Sequence, residues 1–295
     1  MSATHQSVFA PVSISATAVF LVVALIYLRG WIRLRSSAAD AAPGWKLGSF
    51  LGGVVLLWAA VGSPLAGLDH QLLSMHMLQH LLLMTVAPPL LLLGDPGFVF
   101  QLGAPAAVSG MRVPQHPVWI PARRIGEILT RPRVALLIAT AVLIGWHFPA
   151  AFQIAMESER WHAIEGVSFL GGGLLFWWPV MQPWRFPGRS PQWWIPLYLF
   201  LATLPCDALS AFLAFCGRVI YPHYLHARGP FNISALQDQE AAGALMWVVV
   251  TFAYLIPAVV VTVRILSPAG QHLQQPQLDL SQVDRPLHPS SAEVA

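Results

Sequence analysis

Long apolar runs separated by short polar stretches recur along the chain. A helix needs about 20 residues to cross the hydrocarbon core of a bilayer at a rise of 1.5 Å per residue. Seven runs approach that length, and Trp, Tyr and Arg flanks can extend the shorter ones into the interface. They are residues 13–27, 47–61, 71–93, 134–148, 164–181, 194–215 and 241–263. Because the edges of an open sheet would be unsatisfied in lipid, we predict an all-α polytopic membrane bundle of seven transmembrane helices.

Composition supports the same class. Of the 295 residues, 56% are hydrophobic and only 10% are charged, with a mean hydropathy of +0.61. These values lie far from those of an ordinary soluble domain. Residues 1–266 are therefore predicted to form one transmembrane domain. Residues 267–295, rich in Gln, Pro and Ser, are predicted to be a disordered cytoplasmic tail.

Basic residues are distributed unevenly between the two sides of the predicted bundle. Thirteen of the sixteen Lys and Arg residues fall on one side, and only Arg160, Arg218 and Arg228 fall on the other. The positive-inside rule then places the N-terminus outside and the C-terminus in the cytoplasm. The net charge of +3 reflects this topology, and without a dense basic cluster we predict no nucleic-acid partner.

Most histidines fall outside the membrane or in its outer half under this topology. Eight lie on that side, and three, His116, His272 and His288, lie on the cytoplasmic side. The motif HMLQH of the third span contains His76 and His80. At about 100° per residue, they lie on one helix face with Met77, Met84 and His70, and the five side chains cover an arc of about 120°. The sequence therefore predicts a stripe of imidazole and thioether groups running inward from the outer face.

Imidazole and thioether side chains are ligands for copper or haem iron, whereas calcium and magnesium prefer oxygen. Polar side chains are costly at membrane depth and are usually kept for a use, so we predict a metal site that includes His76, His80 and Met77. The alternative is that the histidines hydrogen-bond neighbouring helices as packing contacts and that the methionines fill the core.

Further candidate residues lie on other predicted helices. His147 ends the fourth span, and His162 and Glu165 lie three residues apart on one face of the fifth. A carboxylate just inside the membrane needs a partner, such as an imidazole of the third span. Asp207, beside Pro205 in the sixth span, is either a functional polar centre or a hydrogen-bond partner of the broken helix.

The outer loop and the cysteines complete the set of candidates. Asp238 is well placed to start the last helix, because an acid satisfies free backbone donors there. The loop residues His223 and His226 are either a landing site for an ion or solvated side chains. Cys206 and Cys216 form no Cys-x-x-Cys motif, which argues against a disulfide relay and a thiolate zinc site.

Several stretches together resemble a known family. They are SPLAGLDHQLLSMHMLQHLLLMTVAPPLLLLG, GWHFPAAF, WHAIEGVSFLGGGLLFWWPV, YPHY and DQEAAGALMW, and they are similar to the CtaG-type cytochrome c oxidase assembly factors, seven-span bacterial membrane proteins. The resemblance implies a role in maturing a haem-copper oxidase in the bacterial cell (inner) membrane, with copper as cargo. The residues of interest that it carries over are His76, His80, His147, His162, Glu165 and Asp238.

We therefore predict a protein that is not an enzyme, that accepts copper from a periplasmic or extracellular donor, and that hands it to an oxidase subunit. A site with few ligands and no thiolates suits transfer by ligand exchange. Two alternatives stay open. One is a haem-binding redox protein, with axial histidines from two facing helices; the other is a copper transporter with Asp207 at the midplane.

Overall fold

The computed structural model describes residues 13–103, 120–182, 193–225 and 232–267, and its regular elements in these ranges are all helical. This confirms the predicted all-α class. The predicted tail lies outside the described residues except for Ser267, as do His116, His226, His272 and His288. The helices are α1 (Ile14–Ser37), α2 (Gly44–Val61), α3 (Leu73–Leu93), α4 (Pro96–Gly103), α5 (Ile120–Leu129), α6 (Pro132–His147), α7 (Pro149–Glu157), α8 (Glu159–Met181), α9 (Trp194–Phe215) and α10 (Ala235–Leu266).

Six of these helices, α1, α2, α3, α8, α9 and α10, are long and apolar enough to cross a membrane. The predicted fourth span is broken, because α6 ends at His147 and α7 leaves it at an angle of 74°. Pro149 at the start of α7 explains the break, since a proline disfavours helical geometry in the residue before it, and Phe148 is extended. The fold fits a multi-pass membrane protein. The count of seven spans and the orientation stay predictions.

The third span, α3, is the central helix of the bundle. Of its apolar window 67% is buried, a larger share than in the other spans, because it packs against α2, α8 and α10. A π-helical turn, Leu82–Val86, interrupts it two residues after His80. Pro88 and Pro89 lack the N–H groups that a regular helix would use at this point. Such turns are frequent at functional sites.

The start of α3 is held by the last helix. The carboxylate of Asp238, in the first turn of α10, accepts hydrogen bonds from the backbone N–H groups of Leu73 and Ser74 and from the Ser74 hydroxyl. Asp238 therefore satisfies free donors at the start of α3. Asp238 does lie in the first turn of α10, as expected, but the N-cap of α10 is Ser234, in a capping box with Gln237. The Asp238 side chain caps α3 instead.

One end of the bundle contains all six histidines that the structure describes; we call it the histidine end, formed by residues 69–80, 147, 162 and 223. The turn Pro222–Leu225 lies across this end. Tyr221 donates a hydrogen bond of 3.0 Å to the His147 carbonyl, and Tyr224 donates one of 2.7 Å to the Asp69 carbonyl. Burial raises the pKa of Tyr224 well above its ordinary value, so this hydroxyl remains a donor.

Candidate metal centre

A buried carboxylate and two imidazoles meet where α3 faces α8. The Oε1 atom of Glu165 lies 3.6 Å from Nε2 of His76 and 3.5 Å from Nε2 of His80. The two imidazole rings are 4.2 Å apart between centroids. One ligand atom from each of the three residues lies within 4.8 Å of the other two. The structure thus brings together three residues that the sequence singled out on two different helices.

Helical spacing and aromatic packing set this geometry. His76 and His80 are one turn apart on α3 and so point to the same side, towards Glu165 on the facing helix. The ring of Phe169 stacks on His80 with centroids 3.9 Å apart, and Phe152 of α7 meets His76 edge-on at 5.0 Å. These two aromatic rings hold the imidazoles in place.

The polar atoms of the cluster are buried without hydrogen bonds. Both ring nitrogens of His76 and of His80 and both carboxylate oxygens of Glu165 have no hydrogen-bond partner among the protein groups that the structure describes. An unsatisfied buried polar group costs about 1–3 kcal/mol, and more if it is charged. A cation between these side chains would engage several of the orphaned atoms at once. The donor set, two imidazoles and a carboxylate, is therefore able to bind a metal ion.

A second group of ligand atoms adjoins the first. Oδ2 of Asp69 lies 3.5 Å from Nε2 of His162, and Asp69, His76 and His162 each offer an atom within 4.8 Å of the other two. His162 also lies 3.9 Å from Oε2 of Glu165. Sequence reasoning missed Asp69, because this residue precedes α3 and helical periodicity does not extend to it. The signal that could have found it is its place beside His70, directly before the histidine helix.

His147 and Met77 form a pair next to the cluster. Nδ1 of His147 is 2.7 Å from the carbonyl oxygen of Leu143, so Nδ1 carries the proton and donates. The lone pair of Nε2 is then directed at Sδ of Met77, 3.3 Å away. The His147 ring is 6.4 Å from that of His80. Both predicted residues thus lie beside the cluster and present a nitrogen and a sulfur ligand, which suit a soft metal.

Two other predicted acids lie apart from this cluster. Asp238 is only 2% exposed and its carboxylate is engaged with the start of α3. Neither Asp238 nor Asp207 belongs to the groups of converging ligand atoms found among the described residues. Asp207 lies on α9, and its Oδ1 atom is buried without a hydrogen-bond partner in the described part of the chain.

The cluster borders two cavities of different size. A cleft of about 540 Å³ reaches it from the histidine end and is lined by Asp69, His70, His80 and His162 together with apolar side chains of α1, α2 and α8. On the other side of His80, a cavity of about 40 Å³ is lined by Met77, Met84, Cys206 and other residues. The cleft offers an ion access to the cluster, whereas the cavity is far too small for a porphyrin.

Comparisons with known proteins give one family. The model of a family described as cytochrome c oxidase caa3 assembly factor matches residues 25–267. An uncharacterized protein of Mycobacterium leprae (strain TN) is 24% identical over 258 residues, which cover 86% of this chain and 38% of that protein. Uncharacterized proteins of Mycobacterium bovis and Mycobacterium tuberculosis are each 26% identical over 238 residues, covering 77% of this chain and 35% of theirs. The chain thus spans little more than a third of the length of these relatives. No solved structure matches it.

Proposed function

Because the chain belongs to the family of cytochrome c oxidase caa3 assembly factors, we propose that it binds copper at the histidine end and delivers it to a subunit of a haem-copper oxidase. In this role the protein is a metal-binding chaperone and not an enzyme. Copper is its cargo, received from a donor on the outer side of the bacterial cell membrane. The family indicates the process, which is oxidase assembly. The cluster around Glu165 offers the ligands for copper.

The buried carboxylate of Glu165 between His76 and His80 carries this proposal. A full negative charge is expensive at membrane depth unless it is compensated. A copper ion would supply that compensation and would accept lone pairs from the orphaned imidazole nitrogens. Copper is favoured over calcium or magnesium because nitrogen ligands outnumber oxygen here and because Met77 and His147 present a further sulfur and nitrogen beside the cluster.

Release matters as much as binding for a protein that delivers its cargo. The cluster offers three convergent side chains and no thiolate, so an acceptor can displace the ligands one by one, which a closed cage of four thiolates would resist. The cleft of about 540 Å³ beside His80 leaves space for an acceptor to approach. The donor set and the cleft therefore both suit a transient copper site.

Replacing Glu165 by Gln tests the proposal. The variant keeps the shape of the side chain and removes its charge, so the purified protein should lose copper while its helical content and elution volume are unchanged. Glu159→Gln is the matched control, because it removes an acid from the same helix, outside the converging ligand atoms, and it should bind copper like the parent. Cells with the Glu165→Gln protein should assemble an oxidase that contains haem but lacks activity. If the parent purifies without copper and binds none when it is added, the copper role is wrong.

The haem-binding alternative makes a different prediction for the same purified protein. Bound haem would give a Soret band with stoichiometric iron. The surroundings of the ring nitrogens weigh against it, because Oε1 of Glu165 lies 3.6 and 3.5 Å from Nε2 of His76 and His80. Sδ of Met77 lies 3.3 Å from Nε2 of His147, so these nitrogens already have protein atoms beside them where an axial haem ligand would need the iron. The visible spectrum therefore separates the two candidate functions.

The transporter alternative rests on Asp207. Its buried, unpartnered Oδ1 atom is the observation in its favour, but α9 places it outside the converging ligand atoms. This alternative predicts that the parent moves copper into vesicles and that Asp207→Asn abolishes uptake. A parent that moves no copper in this assay excludes transport.

A further inference from the structure

Imidazole rings form a continuous file from the surface of the histidine end into the bundle. The successive centroid separations are 6.2 Å for His223 and His70, 5.5 Å for His70 and His162, 5.6 Å for His162 and His76, 4.2 Å for His76 and His80, and 6.4 Å for His80 and His147. Side-chain exposure falls along it, from 48% at His70 to 21% at His162 and 0% at His76. The file thus connects solvent with the buried cluster.

Two carboxylates stand beside this file at different depths. Glu165 faces His76 and His80 at the inner position, and Asp69 faces His162 at the outer one. His76 belongs to both groups of converging ligand atoms. Two hydrogen bonds hold Asp69 in place: its Oδ1 accepts the backbone N–H of His70 at 2.6 Å, and its carbonyl accepts the Tyr224 hydroxyl. Its side chain is only 5% exposed.

We propose that Asp69 and His162, with the shared His76, form a second and outer copper station, through which the ion passes from the cleft to the inner station of His76, His80 and Glu165. This inference rests on the copper role proposed above and adds a residue, Asp69, and an order of events to it. His70 lines the cleft and is the most exposed of the rings that do so. It delivers the ion to the outer station.

A shared ligand makes the transfer physically feasible. A bare cation is costly in a low-dielectric interior, so an ion moving inward must keep ligands throughout. His76 remains bound while His162 is exchanged for His80, and Asp69 is exchanged for Glu165. The charge at the ion is balanced by one carboxylate before and after the step. No electron needs to move, because the ion keeps two neutral imidazoles and one carboxylate. A proton that Glu165 carries while the inner station is empty passes to Asp69 as the ion leaves it, so charge and protons balance.

The test measures the rate of Cu(I) binding separately from the equilibrium affinity. Purified full-length protein is mixed with Cu(I) in a stopped-flow instrument with a chromophoric Cu(I) chelator, and equilibrium affinity is measured by competition with the same chelator. Asp69→Asn keeps an oxygen that can accept the His70 N–H, so the fold should be preserved. We expect Asp69→Asn and His162→Gln to slow loading about tenfold or more, while equilibrium binding at the inner station persists. Glu165→Gln should abolish equilibrium binding.

Glu159→Gln is the matched control, because Glu159 lines the same cleft and its loss removes the same charge without removing a converging ligand atom. Its loading rate should equal that of the parent. Loading of Asp69→Asn at the parent rate would refute the outer station and leave the copper role intact. Complete loss of equilibrium binding in Asp69→Asn would also refute it, because it would mean a single merged site. Failure of the parent to bind Cu(I) would refute both the station and the copper role.

Discussion

Glu165 is fully buried in the part of the chain that the structure describes, and its two nearest charge partners are imidazoles of the facing helix. An ionised carboxylate in hydrocarbon demands a cation, a proton or a set of donors. The neighbouring nitrogens lie at 3.5 and 3.6 Å, beyond good hydrogen-bond distance. At the scale of single residues, the geometry therefore favours a bound cation over packing by hydrogen bonds.

Replacing His76 and His80 together by Leu distinguishes these two roles. The change removes two polar groups from a membrane helix, so the variant should insert and accumulate at the level of the parent. If the histidines were packing contacts, the loss would be about 0.6 kcal/mol per hydrogen bond, with no reason to affect copper. We expect copper content and oxidase activity to be lost while the expression level is unchanged.

The control for this double variant is Gln79→Leu. Gln79 lies between the two histidines on α3 and donates a hydrogen bond of 2.9 Å to the Ala60 carbonyl, so its loss also removes a polar group from the helix but spares the cluster. Copper content should remain at the parent level. A double Leu variant that binds copper like the parent would leave the motif as helix packing.

At the scale of elements, the cap of α3 connects the last helix to the proposed metal ligands of α3. Asp238→Ala leaves free N–H groups at the start of α3 and should cost about 1 kcal/mol of stability. Fraying of that end would disorder His76, which lies only three residues after Leu73. We therefore expect weaker copper binding together with a lower unfolding temperature, measured by chelator competition and by thermal unfolding in detergent.

Ser234→Ala is the matched control for Asp238→Ala, because Ser234 caps α10 and its loss should cost a similar amount of stability. The Ser234 side chain is exposed and hydrogen-bonds Gln237 of its own helix, so copper affinity should be unchanged. Asp238→Asn, which keeps an acceptor oxygen, should have an intermediate effect. Equal copper affinities in the Asp238→Ala and Ser234→Ala proteins would show that the cap does not position the ligands.

Hydropathy predicted the helices well because lipid imposes length and composition on each span separately. The predicted sixth span, residues 194–215, coincides with α9, and the proline that stops the fourth span was visible in the sequence. The bend of 74° after it was not, because an angle depends on what α7 packs against. Likewise, periodicity put His76 and His80 on one face, but it gave no sign that Asp69 lies within ion-pair distance of His162 on α8.

At the scale of the whole molecule, the unequal distribution of Lys and Arg between the two sides of the bundle predicts that the histidine end faces outward. A reporter active only in the periplasm should therefore be silent when fused after Val180, at the opposite end of α8, and active when fused after Pro230. A cytoplasm-active reporter at the same two positions is the control and should give the reverse pattern. Activity of the periplasmic reporter after Val180, or silence after Pro230, would contradict the predicted orientation.

The hydrogen bonds of Asp238 also have a consequence for the order in which the molecule is made. The Asp238 oxygen that accepts the Leu73 N–H belongs to a residue 165 positions later in the chain. During synthesis α3 enters the membrane long before α10 leaves the ribosome, so its first turn stays uncapped until α10 has been made. The histidines consequently gain their final geometry only after α10 has been made, and under the proposed copper role a chain that still lacks α10 would bind copper weakly.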